Sequence, residues 1–578
     1  MWSSGLRKAK CGTAVLAHAA QDGVWQPFLA KPPAMSHPSP AAEDIRRTKA
    51  LVRAVATELR QSGAPSLETA NHAWLEGQPQ SLWPLLDATV AASAARKRDE
   101  ALLTAGRWLL ANQLELIRYK LERGHDWARE MLEAYQEKLI ALIQAEALPE
   151  QDWFELVNLL KVAKVPIRPE MQEALTMAAV DATPGEAPLP QEIPQQFRRL
   201  VDEIGVVADN PFMVVEGLAE TGALMPAELR AYMTHELGLS PHAVLREGVP
   251  LLLLDPEPAV RQAAAAVLEQ VASPETISPV MLRRTLLIRN WVPEAEREAI
   301  DRLTRKMRVK GVTCAQWMPP SALAIHSSLV DGSGAQSLIV TTPGSRAGLF
   351  AGLLLKQEIG IRDAWCDPSV PRREINQSIK ETLRAATWHR TGREHLDAVV
   401  QHHIARGLAV GNLPSATIVD IAEQIGAADW KGRGFDVSAE VERLFAGLEA
   451  ELTNSAAIAA SLQRSGSWVE RHVMMQSWFE DDATVRALVE GRPRPKREIS
   501  VRRMLEEVLP TRREIWTERL LLLVLWLQAA TGNPTLVGQW QDCVVLAHEL
   551  LAGRPLTELP AMVAIAKRSI FAARVGAQ

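Results

Sequence analysis

The sequence predicts a mainly α protein: antiparallel helix pairs, stacked at least partly as a solenoid, with one small α/β, hairpin-containing element in the middle. Three observations carry that prediction. Apolar residues recur at helical spacing over most of the chain. The stretch Leu251 to Val271 spells out an apolar run, a proline turn and an amphipathic helix. Strand-like runs flank an Asp-Gly-Ser-Gly turn between Val312 and Pro368. At 578 residues the chain exceeds what one core can organise, and 47% hydrophobic against 23% charged residues is ordinary globular composition.

Residues 1–40 read as a disordered or untranslated extension. They lack the charged, apolar and small-residue order of a signal peptide, and Met35 opens a more convincing start, MSHPSPAAEDIRR. Residues 41–182 form an N-terminal helical domain, with Leu51, Val55 and Leu59 on one stripe and Leu109, Leu110, Leu114 and Ile117 on another. The chain holds 17 Trp against 3 Tyr, and Trp74, Trp83, Trp108, Trp127 and Trp153 recur here. Base stacking is one use for such rings; inter-helix packing is the preferred one. The prolines of residues 183–194, TPGEAPLPQEIP, read as a linker.

Residues 195–311 are helical again. In LLLLDPEPAVRQAAAAVLEQV the apolar run ends at Asp255, Pro-Glu-Pro stops the helix, and a second helix lines up Val260, Ala263, Ala264, Val267, Leu268 and Val271. Small Ala side chains allow neighbouring helices to approach closely. This pair resembles a HEAT repeat, whose turn Asp corresponds to Asp255 and whose Val-Arg pair corresponds to Val260 and Arg261. The resemblance covers about one repeat and implies a ladder in which Asp255 and Arg261 tie successive turns. A partial echo stands at Asp481 to Arg486.

Residues 312–370 change texture. Ala324 to Val330 and Gln336 to Thr342 read as strands joined by Asp331-Gly332-Ser333-Gly334, with a third strand expected at Leu349 to Leu355, a fourth or a continuation of it at Ile359 to Trp365, and none elsewhere. Residues 371–578 form a C-terminal helical domain, with Arg373 to Ala386 and Arg393 to Arg406 its first helices.

Several residues are candidates for chemistry. The carboxylate at the hairpin turn looks like the opening hairpin of ribonuclease-H-like nucleases, which implies a Mg²⁺-binding role for Asp331, with Asp363, Asp367 and Glu381 downstream. Asp-Gly is also a favoured pair in ordinary hairpin turns. His395 and His402 share a helix face two turns apart, near His389 and His403, but two imidazoles so spaced need a third element to ligate one ion, and no H-E-x-x-H is present. Cys314 and Cys366 flank the strand-bearing element without a neighbouring base and read as packing residues. Glu480, Asp481 and Asp482 read as helix-capping acids. The basic run Arg492, Arg494, Lys496, Arg497, Arg502, Arg503, Arg512 and Arg513 is the nucleic-acid-binding candidate, with Trp516 beside it.

A net charge of -5, from 64 basic and 69 acidic residues, supplies no global attraction to nucleic acid or anionic membrane. Four dispersed cysteines fit a reducing cytoplasm, and the longest apolar run, Leu520 to Leu527, is far short of the roughly 20 residues that span a membrane. P-loop, G-x-G-x-x-G and G-x-S-x-G patterns are absent. The expected function is a cytoplasmic interaction or scaffold protein with a protein partner and no cofactor. The alternatives are a metal-dependent enzyme acting on nucleic acid through Asp331, and nucleic-acid binding through the region Arg492 to Arg513.

Overall fold

The computed structural model describes residues 42–576 except 64, 66–68, 182–192, 223–224, 320–321, 345, 386–387, 492 and 532–539. The extension 1–40 with Met35, most of the linker 183–194, and Arg492 lie outside the described residues. Within them the chain divides into two compact units, 42–200 with 216–230 and 201–215 with 231–576.

The first unit is helical: α1 (Ala42–Ser62), α2 (Thr69–Gly77), α3 (Leu82–Ser93), α4 (Glu100–Glu122), α5 (Asp126–Gln144), α6 (Glu150–Val162) and α7 (Pro169–Asp181). Both stripes expected from the sequence turn inward. Leu51, Val55, Leu109, Leu110, Leu114 and Ile117 belong to one buried core, and Leu59 packs against it. Trp153 is part of that core while Trp74, Trp83, Trp108 and Trp127 close its edge, so these rings fill space between helices. One carboxylate ties three helical segments together. Asp152 in α6 accepts bonds from Ser93 at the end of α3, from Arg98 at 2.8 and 3.0 Å, and from Arg107 of α4 at 2.7 Å. Burial opposes its ionisation, but Ser93 and the two guanidinium groups outweigh that and hold its carboxyl below the usual range.

Along the chain follow α8 (Ile193–Val207), α9 (Pro211–Gly222), α10 (Ala227–Leu239) and α11 (Ala243–Gly248). The apolar run continues as a 3₁₀ turn, Val249–Leu254, because Pro250 has no N–H for an α-helical ladder. All six of its residues are buried. After the proline turn come α12 (Pro258–Gln270), α13 (Pro279–Ile288) and α14 (Glu294–Val309). Arg261 donates to the carbonyls of Asp255 and Pro256 at 2.8 and 2.9 Å and to Glu296 of α14 at 2.8 Å. The Asp255 carboxylate accepts the N–H of Glu257 at 2.8 Å. The cation therefore links its own turn to α14, the second helix after it, through Glu296.

A five-stranded antiparallel sheet follows: β1 (Ala324–Ser328), β2 (Ala335–Thr341), β3 (Ala347–Lys356), β4 (Gly360–Pro371) and β5 (Trp388–Thr391), in the order β4-β3-β2-β1-β5. The expected hairpin is present, with Ala324 opposite Thr341 and Ser327 opposite Leu338. The sheet extends past residue 370, contrary to the expectation that strands end there. The reason is that β5, only four residues of mixed polarity, becomes a strand by pairing with β1, Ile325 opposite Thr391 and Ser328 opposite Trp388. All seven residues of β2 are buried, so both faces of the sheet are covered at this strand.

The helices α15 (Arg372–Ala385), α16 (Arg393–Ala409) and α17 (Ala416–Ile425) lie against β4. The remaining chain gives α18 (Val437–Ala446), α19 (Ser455–Ser465), α20 (Arg497–Arg503), α21 (Arg513–Ala529), α22 (Trp540–Leu551) and α23 (Pro560–Gly576), besides shorter turns. The run that was too short to span a membrane is the centre of this bundle: Leu520 to Val524 are each at most 1% exposed. A helix apolar on every side must be surrounded. No described helix is long and apolar enough to cross a membrane.

The divisions drawn at residues 311 and 370 do not separate compact units. Leu329 and Val330 of the hairpin belong to the C-terminal bundle's core. Glu423 of α17 is held by Arg283 and Arg284 of α13, and the Trp291 indole donates to the Trp430 carbonyl at 2.9 Å. Long-range polar contacts of this kind leave no local trace in a sequence.

Candidate functional site: a buried polar cluster at the hairpin turn

Asp331 follows β1 and organises its own turn. One carboxylate oxygen accepts the N–H of Ser333 at 2.8 Å, the Ser333 hydroxyl at 2.8 Å and the N–H of Ala335 at 2.9 Å. Gly334 has φ +75°, a conformation suited to glycine. Gly332 is needed for a different reason: a Cβ there would lie 1.6 Å from the Ser477 carbonyl oxygen, so the turn presses directly on the backbone of the C-terminal bundle. The Gly332 N–H donates to the Ser477 hydroxyl at 3.1 Å.

Into this turn reaches Arg519 of α21, 3% exposed. It donates to the Gly332 carbonyl and, at 3.2 Å, to the side-chain oxygen of Gln357, and it lies 4.4 Å over the Trp516 ring. Burial draws its affinity for the proton down, and the negative charges of Glu480, Asp331, Glu358 and Glu518 act against that. Gln357, just after β3, closes the arrangement. Its N–H donates to the Gly334 carbonyl at 2.9 Å, and its amide donates to the Ile515 carbonyl at 2.7 Å and to Glu518 at 2.9 Å.

Glu518 is shared with α16. It accepts from His402 Nε2 at 2.7 Å and from Arg406 at 3.1 Å. The Phe435 N–H donates to His402 Nδ1 at 3.1 Å, which places the ring proton on Nε2, facing Glu518. Burial opposes ionisation of Glu518, but the hydrogen bonds from His402 and Gln357 and the charge of Arg406 prevail and hold its carboxyl below the usual glutamate range. A second layer adjoins this one: Arg512 pairs with Glu480 and Asp482, and the Trp516 indole donates to Glu480 at 2.9 Å.

The acids named in advance are arranged differently. Asp363 and Asp367 accept backbone N–H groups within their own strand, and Glu381 accepts from Gln377 one helical turn away. The acids whose charge is felt beside Asp331 are Glu358, Glu480 and Glu518, and the cation among them is the Arg519 guanidinium.

His395 and His402 are both buried on α16, as is His403. Burial pushes His395 down to about 4, and burial with the neighbouring His402 pushes His403 down to about 3. His403 donates through Nδ1 to the Val399 carbonyl at 2.7 Å, and His389 meets the Trp526 ring edge-on at 5.3 Å. Among the described residues no three His, Cys, Asp or Glu side chains are placed to hold a metal ion. Cys314 is exposed and Cys366 half-buried. Burial, and then the adjacent Asp420, pushes the Cys366 thiol up, away from thiolate chemistry.

The basic run divides into two groups. Arg512 is held by acids, Arg513 donates to the Leu550 and Arg554 carbonyls at the end of α22, and Arg503 pairs with Glu507 at 2.8 Å. Arg494, Lys496, Arg497 and Arg502 are exposed. Neither Glu518 nor Arg519 is among the candidates that residue type and spacing single out in the sequence. The signal that exposes them is an acid and a base immediately before an all-apolar helical run, where neither can reach water.

Residues 438–574 match the family described as the Y4lR C-terminal helical domain, and residues 226–311 match the Y4lR second domain. The chain is similar to the uncharacterized protein y4lR of Sinorhizobium fredii (strain NBRC 101917 / NGR234), 22% identical over 469 residues, which is 79% of this chain and 87% of that protein. No solved structure matches. The sheet lies between the two matched stretches, while Glu518 and Arg519 lie inside the C-terminal one.

Proposed function

We propose that this chain is an interaction protein of the cytoplasm that receives a protein partner on stacked helix pairs, arranged in the HEAT-like manner around α11 to α14. On this reading the polar cluster at the hairpin turn fixes one arrangement of sheet and bundle and turns over no substrate. The observation that carries the reading is the position of Arg519. A metal-dependent nuclease needs converging carboxylates that attract a cation; here the converging carboxylates already face a guanidinium belonging to the protein. One of the two Asp331 carboxylate oxygens is engaged by three donors of its own turn.

The experiment is crosslinking of the full-length chain in its native extract, followed by reconstitution with the identified partner, alongside a hydrolysis screen on DNA and RNA with Mg²⁺ or Mn²⁺. The expected result is a stoichiometric complex that Asp331→Asn leaves intact. Metal-dependent hydrolysis by the wild-type chain that Asp331→Asn abolishes would overturn the reading.

A further inference from the structure

The core of the first unit encloses three polar atoms that the described residues leave without a partner. Thr48 Oγ1, Ser81 Oγ and Gln113 Oε1 are buried and make no hydrogen bond to any described residue. Their residues are 0%, 1% and 1% exposed, so bulk solvent does not reach them.

The three atoms belong to one junction. Thr48 lies on α1, Ser81 ends the 3₁₀ turn Pro79–Ser81 and Gln113 lies on α4, and each of these elements packs on the other two. Contacts of the adjoining residues draw them together. The guanidinium of Arg47, beside Thr48, stands 4.6 Å over the Trp74 ring. The carbonyl of Leu75, beside Trp74, accepts from the Gln113 amide at 3.3 Å, and the Pro79 carbonyl, two residues before Ser81, faces the same amide at 3.5 Å. The level along the helices agrees. Arg60, in the last turn of α1, donates to Asp99, the N-cap of α4, at 2.6 Å, so the two packed helices run antiparallel from that bond. At 1.5 Å per residue Thr48 lies about 18 Å from it along α1 and Gln113 about 21 Å along α4.

The orientation of the Gln113 amide decides what is missing. Its Nε2 is turned to two carbonyls, which leaves Oε1 as an acceptor in need of a hydrogen. The hydroxyls of Thr48 and Ser81 each have a hydrogen to give, yet none of the three atoms bonds another. A polar atom shut in an apolar core without a partner carries its full desolvation penalty, and native interiors relieve that with an ordered water. We propose that this junction holds one internal water. The water gives one hydrogen to Gln113 Oε1 and the other to one hydroxyl, and accepts a hydrogen from the second hydroxyl, which satisfies all three atoms. A cation fits less well, because the three ligands are neutral oxygens and the nearest named charge is the Arg47 guanidinium. An apolar guest leaves all three atoms as they are. The consequence is mechanical: the Arg60–Asp99 pair that also holds α1 is exposed and screened by solvent, whereas the water fastens α1 from within. This inference is independent of the interaction reading above.

The test uses the full chain and two measurements. In a crystal structure fine enough to show ordered solvent, density for one water is expected within hydrogen-bond reach of all three oxygens. An empty junction, a metal ion, or direct bonds among the three side chains overturns the proposal. Hydrogen exchange of residues 42–62 is then compared for Thr48→Val, Ser81→Ala and the pair. Each single substitution deprives the water of one ligand and is expected to speed exchange at least about fivefold. The pair is expected to exceed the faster single by less than about twofold, because either change alone already loosens the same water. If the atoms are dry, removing the hydroxyls relieves a penalty; exchange that slows or stays unchanged, or two effects that multiply independently, contradicts the proposal.

Discussion

At the scale of single residues, the account separates a turn-building carboxylate from a metal ligand. Asp331→Asn keeps an acceptor oxygen for the three turn donors, so chemical denaturation is expected to show a loss of at most about 1 kcal/mol, whereas Asp331→Ala strands those donors and costs about 1–3 kcal/mol. The buried histidines make a second prediction. His395 and His403 are held neutral well below the usual histidine range, at about 4 and about 3. The unfolded chain therefore binds protons that the folded chain refuses, and stability, complete above about pH 6.5, falls as pH drops toward 4. His403→Leu removes part of that slope, which urea midpoints measured from pH 7.5 to 4.5 will show; an unaltered slope contradicts the assignment. Much of this was legible: Asp331 and the α16 histidines stood out from their residue types and spacing. Their partners did not, because Glu518 lies 116 positions from His402 and Arg519 lies 187 positions from Gly332, and no local pattern reports such a contact.

At the scale of elements, period decided what was readable. The helices around residues 51 and 114 and the hairpin at 324–341 announce themselves through repeated apolar positions and one glycine-bearing turn, and they form where expected. The short β5 and the 3₁₀ form of Val249–Leu254 did not, since the first depends on its neighbour in the sheet and the second on the geometry around Pro250. Asp152 is an element-scale fastener of the same hidden kind, joining the end of α3 and the start of α4 to α6. Asp152→Ala leaves Arg107 and Ser93 facing a vacated site and is expected to destabilise the first unit by about 3–5 kcal/mol. Thermal unfolding followed by hydrogen exchange should localise the loss to residues 82–162; a uniform loss over the whole chain, or none, speaks against it.

At the scale of the whole molecule, the sequence correctly announced a mainly α chain with one small sheet in the middle. It did not announce that the sheet's turn is embedded in the C-terminal bundle. That embedding makes Arg519 the residue on which the central claim rests. Its guanidinium holds the Gly332 carbonyl and the Gln357 side chain and faces four acids. The most direct measurement is a double-mutant cycle in urea on the full-length chain, combining Arg519→Met with Glu518→Gln. If the cluster holds sheet and bundle together, Arg519→Met costs about 3–5 kcal/mol alone and distinctly less when Glu518 is already neutral, because the stranded charge is then smaller. An Arg519→Met chain as stable as wild type, with a metal-dependent activity gained or lost, would contradict the account.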